Sequence, residues 1–266
     1  MTNFTAKKSL GQNFLHAPHV ISAMVHAAHI TPEDTVLEVG PGKGALTEKL
    51  LATGATILAI EKDDRAIPFL HEKFAEDIKN GKLKIFHGDT LTFKPLEYGL
   101  QTGKYKIVAN IPYYITGEFM RKFLEEETPP EKMVVMVQKE VAKRITDTKE
   151  SILSIATKVY GEPKYLISVH RKFFRPVPNV DSAVIVVGNI SKKFFEESKI
   201  PETAFFEIIK AAFAHKRKVV KKNLEAKIPK ETIEKIWISH NLPEKARAED
   251  ISLEMWKKIV GEALIS

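Results

Sequence analysis

The chain has 266 residues, of which 44% are hydrophobic and none is cysteine. This length allows one large domain or a domain with a smaller companion, and the lack of cysteine excludes disulfides, thiolate zinc sites and cysteine nucleophiles. No apolar run approaches the roughly 18 residues of a membrane span, and the N-terminal segment lacks the apolar core of a signal peptide, so we expect a cytoplasmic protein. The net charge of +7 and a pI near 9.2 are typical of proteins that bind nucleic acid.

Short apolar runs in the first half of the chain predict β-strands. They occupy residues 35–39, 56–61, 82–89, 106–110 and 132–138. Helical patterns lie between them, at 44–54, 63–81 and 116–127. Strands that alternate with helices are typical of an α/β fold, in which a parallel sheet is covered by helices on both faces.

The pattern changes in the second half of the chain. The runs 164–170 and 181–189 read as strands with little helix between them, so we expect them to pair antiparallel at one edge of the sheet. After about Asn189 the sequence is helical to its end, and Pro201 is well placed to begin a helix. We therefore predict one domain over 1–189 and a small all-α domain over 190–266.

A glycine-rich turn, "EVGPGKGALT", follows the first strand and opens a helix. Gly40, Gly42 and Gly44 let a ligand approach the backbone closely, although a turn without a ligand would also use them. Glu61 ends the second strand, where an acid commonly binds ribose hydroxyls, and Asp89 ends the third, where an acid can accept from an adenine amino group. The spacing differs from dinucleotide and P-loop motifs, which disfavours a nicotinamide dehydrogenase or a nucleoside triphosphate. An adenosine-bearing cofactor without phosphate, such as S-adenosylmethionine, fits these residues.

The segment "NIPYY" follows the fourth strand at the same edge. The side-chain oxygen of Asn110 and a backbone carbonyl near Ile111 or Pro112 could accept the two N–H groups of a flipped adenine and aim its nitrogen at a methyl donor. Tyr113 offers a stacking face, worth about 1–3 kcal/mol per base, which helps to offset the cost of unstacking the target. Tyr114 could also stack or pack behind it. The alternative is a proline turn with two tyrosines in the core, and the shared sheet edge favours the catalytic interpretation.

Seven motifs in chain order carry a resemblance to a known family. They are "KKSLGQNFL", "EVGPGKGALT", "ANIPYYIT", "QKEVAKRI", "FFRPVPNVDSAV", "AFAHKRKVVKKNL" and "RAEDIS". Together they resemble the ribosomal RNA adenine N6-dimethyltransferases, most closely the small-subunit KsgA/RsmA type, over nearly the whole chain. The resemblance implies a class I (Rossmann-like) methyltransferase fold, with a mostly parallel seven-stranded sheet and S-adenosylmethionine as cofactor. It implies dimethylation of two adjacent adenosines near the 3′ end of small-subunit rRNA, by a monomer without a metal that acts on the assembling subunit.

The resemblance also implies which residues form the site. The target base is expected to contact Asn110, Pro112, Tyr113 and Phe174. The cofactor is expected to contact Asn13, Leu15, Gly40, Gly42, Glu61, Lys62, Asp89, Thr90 and Asn110. Phe174 resembles the second aromatic wall of the base pocket, although it could pack in the core or exchange roles with Phe173.

A basic run, "HKRKVVKK", predicts RNA contact on the helix that carries Phe206, Ile209 and Phe213 inward. Each phosphate that a cation neutralises releases a counterion, so such binding weakens with salt. A solvated helix face is the alternative for a single charge run. The predicted RNA contacts are Lys7, Lys8, Lys216, Arg217, Lys218, Lys221 and Lys222.

Other functions of the same fold stay open. The segment "DTKESILSIA" lacks the Tyr-Gly pair that small-subunit enzymes usually carry before "LS", and the large-subunit dimethylases that confer macrolide resistance lack it too. An assembly factor without chemistry is a further alternative, and intact Glu61, Asp89 and Asn110 argue against it. A DNA adenine methyltransferase would share the "N-x-P-Y" turn, but the short helical tail is a poor DNA-recognition domain.

Overall fold

The computed structural model describes residues 4–215 and 217–265, and of Lys8 it describes the backbone alone. The RNA contact predicted at Lys216 lies outside the described residues, and so does the Lys8 side chain. Across the described ranges, every helix is too short or too polar to cross a membrane.

The chain folds into two compact units, each assembled from two segments. The sheet unit comprises residues up to 142 together with 161–190, and the helical unit comprises 143–160 together with the residues from 191 onward. The stretch 143–160 thus groups with the C-terminal helices, whereas the sequence placed it in the first domain. Contacts between distant segments decide this grouping, and local patterns do not reveal them.

A seven-stranded sheet forms the centre of the sheet unit. The strands of the chain are β1 Phe14–Leu15, β2 Thr35–Val39, β3 Thr56–Glu61, β4 Leu83–His87, β5 Tyr105–Asn110, β6 Lys132–Gln138, β7 Glu162–Val169, β8 Phe174–Arg175 and β9 Ser182–Gly188. The order in the sheet is β4-β3-β2-β5-β6-β9-β7, and β1 pairs with β8 outside it. Strands β2 to β6 pair in parallel, and β9 runs antiparallel to both β6 and β7. The predicted fold class is confirmed.

Within the described residues, six α-helices begin in the sheet unit, and most of them connect its parallel strands. They are α1 Pro18–Ala28, α2 Ala45–Leu51, α3 Ala66–Lys73, α4 Ala75–Lys79, α5 Thr116–Leu124 and α6 Lys139–Thr146. The pattern over 63–81 predicted one helix, but Phe74 leaves the helical conformation at φ −114° and ψ 29° and separates α3 from α4. The Phe74 ring is buried and packs closely against Gly44 of the glycine turn. A Cβ added to Gly44 would lie 2.4 Å from a ring atom, so this contact leaves no room for a larger residue.

The helical unit has a core of aromatic and branched side chains. Its further helices are α7 Ile152–Lys158, α8 Lys193–Ser198, α9 Glu202–Ala212, α10 Val220–Leu224, α11 Lys230–Ser239 and α12 Leu253–Ile265. Phe205, Trp237 and Trp256 are buried, and Pro201 directly precedes α9 as predicted.

The basic run does not continue α9, which corrects the prediction of a single cationic helix. Helix α9 ends at Ala212, and α10 begins only at Val220. The buried Asn223 side chain donates hydrogen bonds to the Ala212 and His215 carbonyls, at 2.7 and 3.3 Å. The bond to Ala212 satisfies a carbonyl in the last turn of α9, and the bond to His215 ties down the segment that follows, so together they stabilise the break.

Several hydrogen bonds tie the segment 143–160 to the rest of the helical unit. The Glu150 N–H donates to the Glu249 carbonyl at 2.8 Å, and the Tyr160 hydroxyl donates to the Glu202 carboxylate at 2.6 Å. The Ser191 N–H in turn donates to the Tyr160 carbonyl at 2.8 Å. The middle of the segment and its last residue are therefore held by the C-terminal part of the chain.

Candidate active site

A cavity opens at the carboxyl edge of β2, β3, β4 and β5. In parallel sheets this edge is where ligands bind, because the loops that follow the strands meet there. Every residue predicted to contact the base or the cofactor lines this cavity: Asn13, Leu15, Gly40, Gly42, Glu61, Lys62, Asp89, Thr90, Asn110, Pro112, Tyr113 and Phe174. The fold therefore brings together residues that the sequence assigned from separate motifs.

Glu61, at the end of β3, is held in the cavity by backbone donors. Its two carboxylate oxygens accept hydrogen bonds from the Gly42 N–H at 3.0 Å and the Asp63 N–H at 2.8 Å. Burial raises the pKa of Glu61 above its usual value, while these two N–H groups act in the opposite direction. The bonds fix the carboxylate and join it to the glycine turn.

The glycine turn uses its own N–H groups within the protein. Besides Gly42, Gly40 donates to the Ile60 carbonyl at 2.9 Å, and Gly44 donates to the Pro41 carbonyl at 2.8 Å. A phosphate group would have to compete with these bonds. The turn also requires glycine on steric grounds, because Gly42 has a φ of +55° and an added Cβ would lie 2.9 Å from the Phe14 ring.

Asp89 forms a second acidic position of the cavity. Its carboxylate accepts hydrogen bonds from the Lys62 ammonium at 2.7 Å and from the Leu91 N–H at 3.0 Å. Burial raises the pKa of Asp89, but the Lys62 hydrogen bond and charge and the Leu91 N–H together hold this pKa below its usual value. Asp89 is therefore ionised at neutral pH and can accept further hydrogen bonds.

Residues 4–17, here called the N-terminal strap, connect different sides of the cavity. Gln12 donates from its side-chain nitrogen to the Asp63 carboxylate at 2.7 Å. Strand β1 in the strap pairs with β8, which contains Phe174. The sequence assigned Asn13 and Leu15 in "GQNFL" to the site, but it missed Gln12 and Phe14, which also line the cavity. Both residues lie within the same motif, "GQNFL", so the motif could have indicated them as well.

The "NIPYY" turn divides its two tyrosines between different environments. Asn110 ends β5, and its side-chain nitrogen donates to the Asn13 carbonyl at 3.4 Å. Tyr113 is half-buried, and its hydroxyl oxygen lies 2.6 Å from the Ser182 hydroxyl oxygen, a hydrogen bond in which either group can donate. Tyr114 is 60% exposed at the cavity lining. The arrangement differs from a turn with two tyrosines in the core.

Phe174 lies on the cavity, whereas Phe173 does not line it. Phe174 is 1% exposed, and Phe173 packs its ring edge against His19, with 5.1 Å between ring centroids. The preceding loop is held by Asp181, whose carboxylate accepts a hydrogen bond from the Arg171 N–H at 2.9 Å. Of the two phenylalanines, only Phe174 borders the cavity, and its side chain also packs in the apolar core of the sheet unit.

The basic residues of the helical unit differ in how exposed their side chains are and in whether a carboxylate already pairs with them. Arg217, Lys218 and Lys222 are exposed, as is Lys7 of the strap in the sheet unit. The Lys221 side chain is only 12% exposed, and its ammonium lies 2.6 Å from the Glu234 carboxylate and 3.0 Å from that of Glu244. Because two carboxylates already neutralise Lys221, the structure does not support its predicted phosphate contact.

Comparison with known proteins gives matches over nearly the whole chain. The model of the family "Ribosomal RNA adenine dimethylase" matches residues 3–263. A Dehalococcoides mccartyi protein named ribosomal RNA small subunit methyltransferase A is 40% identical over 261 residues, which cover 97% of this chain and 88% of that protein. A protein of the same name from Bacillus cereus is 38% identical over 264 residues, covering 94% of this chain and 89% of the relative.

Two solved structures share the fold. The 23S rRNA methyltransferase ErmE superposes with a TM-score of 0.73 at 24% identity, over 94% of this chain and 99% of that one. A dimethyladenosine transferase from Plasmodium falciparum superposes with a TM-score of 0.76 at 23% identity, over 92% and 95% of the two chains. At these identities the likeness shows the methyltransferase fold alone. The match to the family model and the identity to the curated relatives go further: the chain belongs to the ribosomal RNA adenine dimethylase family.

Proposed function

We propose that the protein uses S-adenosylmethionine to dimethylate the N6 atoms of two adjacent adenosines near the 3′ end of small-subunit rRNA. The observation that carries the proposal is the position of Asn110. It lines the same cavity as Glu61 and Asp89, the two acids assigned to the cofactor. The small-subunit target is supported by the names of relatives that are 38–40% identical over nearly the whole chain.

The residues of the cavity fit S-adenosylmethionine. Glu61 is anchored by two N–H groups and keeps lone pairs for ribose hydroxyls. Asp89 is ionised and can accept from an adenine amino group. The N–H groups of Gly40, Gly42 and Gly44 are engaged within the protein, as suits a cofactor without phosphate. When bound, S-adenosylmethionine supplies the methyl group.

The turn after β5 would orient the target nitrogen. The amide nitrogen of Asn110 is engaged by the Asn13 carbonyl, so its oxygen is the end available to accept one adenine N–H. The Pro112 carbonyl already accepts the Ile115 N–H at 3.3 Å, and we therefore assign the second acceptor to the Ile111 carbonyl. Two acceptors would hold the amino group with its lone pair free. As the new N–C bond replaces the methyl–sulfonium bond, the nitrogen would become acidic and release one proton to solvent. No strong base is needed beforehand.

Two aromatic side chains would hold the base itself. Tyr113 and Phe174 both line the cavity, and stacking is worth about 1–3 kcal/mol per base. That gain helps to offset the few kcal/mol that unstacking the target from its RNA neighbours costs. The base pocket thus consists of two rings and two hydrogen-bond acceptors.

We further propose that the sheet unit carries the chemistry and that the helical unit adds RNA contacts. Arg217, Lys218 and Lys222 are exposed and would meet phosphates, together with Lys7 of the strap. The assembling small subunit as partner, the monomeric state and the cytoplasmic location stay predictions from the sequence.

The test is incubation of the protein with labelled S-adenosylmethionine and unmethylated small or large ribosomal subunits. We expect label on two adjacent adenosines of the small-subunit rRNA and none on the large subunit. Label on the large-subunit rRNA would instead assign the macrolide-resistance activity. Binding to the small subunit without any label would assign an assembly factor, and Asn110→Ala serves as the inactive control.

A further inference from the structure

A buried serine outside the cavity contacts one of the residues of the base pocket. Ser182 is the first residue of β9 and is fully buried, and it pairs with Gln138 of β6 on one side and Val169 of β7 on the other. Its hydroxyl lies 2.6 Å from the Tyr113 hydroxyl. A polar side chain inside a sheet needs a hydrogen-bond partner, and here that partner is the phenol of the proposed stacking residue.

The bond fixes Tyr113 at the far end of its ring. At the near end, the backbone is held because the Thr116 hydroxyl donates to the Tyr113 carbonyl at 3.0 Å. A ring that is tied only at its backbone can still change side-chain torsions, since rotamer changes are fast. With the phenol tied to Ser182 as well, the side-chain torsion χ1, and with it the position of the ring, is set before a base arrives.

The neighbouring residue holds the segment that carries the other aromatic wall. Asp181 accepts the Arg171 N–H on its carboxylate at 2.9 Å and the Lys139 N–H on its carbonyl at 3.0 Å. The Arg171 segment leads directly into Phe174. Asp181, which directly precedes β9, and Ser182, its first residue, therefore connect to both walls of the base pocket, so this end of the strand supports both rings.

We propose that Ser182 is a positioning residue: through the Tyr113 hydroxyl it fixes the position of the ring on which the target adenine stacks. The proposal rests on the function proposed above, because it assumes that the base pocket receives an adenine. Ser182 does not line the cavity, so its effect would pass through Tyr113. It follows that removal of either hydroxyl should have the same consequence.

The test compares Ser182→Ala, Tyr113→Phe and the double variant in methyl transfer to unmethylated small subunits. Loss of one hydrogen bond should lower kcat/KM for the RNA about two- to tenfold in each single variant, with cofactor affinity unchanged. The double variant should be no worse than the poorer single variant, because both changes remove the same bond. Multiplying effects, or full activity of Ser182→Ala, would overturn the proposal. Tyr105→Phe is the matched control, since it removes a phenol bond to the Thr128 carbonyl away from the cavity.

A second readout separates this proposal from the activity itself. The protein has six tyrosines, so 3-fluorotyrosine labelling gives resolvable fluorine resonances, and the Tyr113 signal is identified by its loss in Tyr113→Phe. Ser182→Ala should shift or broaden that signal, and Tyr105→Phe should leave it in place. An unchanged Tyr113 signal in Ser182→Ala refutes the ring-positioning role. A wild-type protein that methylates no RNA contradicts the proposed function instead, and the fluorine measurement still decides the positioning question.

Discussion

The side-chain nitrogen of Asn110 donates a hydrogen bond to the carbonyl of Asn13, 3.4 Å away. The bond links the end of β5 to the N-terminal strap and engages one of the two amide N–H groups. It turns the amide oxygen away from the Asn13 carbonyl, which leaves that oxygen as an acceptor for a substrate. This arrangement suits a residue that holds an amino group, because an amino group presents hydrogens.

Asn110→Ala should lower methyl transfer by at least about 100-fold, the usual cost of one lost hydrogen bond to a reacting group. RNA binding should stay within a few-fold, because the phosphate contacts lie elsewhere. Single-turnover transfer and filter binding measure the two effects. The exposed Asn80, changed to alanine, is the control and should retain activity. Full activity of Asn110→Ala would remove this residue from the mechanism.

Glu61→Ala should weaken S-adenosylmethionine binding about 10- to 100-fold, the range for a hydrogen bond to a charged group. The variant removes the ribose acceptor and also frees the Gly42 N–H from its partner. We expect a larger loss of cofactor affinity than for Asp89→Ala, because Asp89 is assigned to the adenine amino group and not to the ribose. Calorimetric titration measures the affinities, with Glu33→Ala at an exposed position as control. An affinity equal to that of the wild type would rule out the assigned role.

Glu38 makes the stability of the protein depend on pH. It is fully buried in β2, and this burial, reinforced by the negative charge of Glu61, raises its pKa from 4.5 to about 8. Between these values the folded state binds one proton more than the unfolded state. The free energy of unfolding should therefore fall with rising pH, by up to about 1.4 kcal/mol per pH unit from this group.

The isosteric variant Glu38→Gln isolates this contribution, because glutamine does not ionise. Between pH 5 and pH 8, wild-type protein should lose more stability than the variant in urea unfolding. The other titrating groups are common to both proteins, so the difference between the two stability profiles reports Glu38 together with its coupling to Glu61. Parallel stability profiles would show that Glu38 ionises normally in the folded state.

Lys221 and Lys222 are neighbours that should respond differently to the same substitution. Lys222 is exposed, so Lys222→Ala should weaken RNA binding and reduce the salt dependence of log K by about one unit. Lys221 is paired with Glu234 and Glu244, so Lys221→Ala should leave the salt dependence unchanged and lower the melting temperature. Binding measured across a salt series decides between them. Equal slopes for the two variants would contradict the assignment of Lys222 to a phosphate contact.

The buried strands are the part of the fold that the sequence predicts best. The bounds predicted for 35–39, 56–61 and 132–138 agree with β2, β3 and β6 to the residue. Strands covered on both faces are continuous apolar runs, so their ends coincide with visible changes in composition. The break between α9 and α10 was missed, because the segment keeps helical composition and a distant residue, Asn223, stabilises its end.

In the candidate site, too, some residues could be predicted from the local sequence and others could not. Glu61 and Asn110 could be predicted because each ends a strand, and Asp89 because it follows the end of β4 by two residues; these strand ends meet at one edge. The bond from Ser182 to Tyr113 and the pairing of Lys221 could not, because both depend on side chains that are far apart in the sequence. Charge counted along the chain does not show which lysines are already neutralised.

Two separate segments of the chain build the helical unit, and this limits how the protein can be recombined with its relatives. The polypeptide enters that unit at residue 143, leaves it after 160 and enters again at 191. A chimera spliced once, at residue 190, would keep its own Glu150 and Tyr160 opposite foreign versions of Glu249 and Glu202. A graft meant to transplant RNA preference must therefore exchange 143–160 along with the C-terminal stretch.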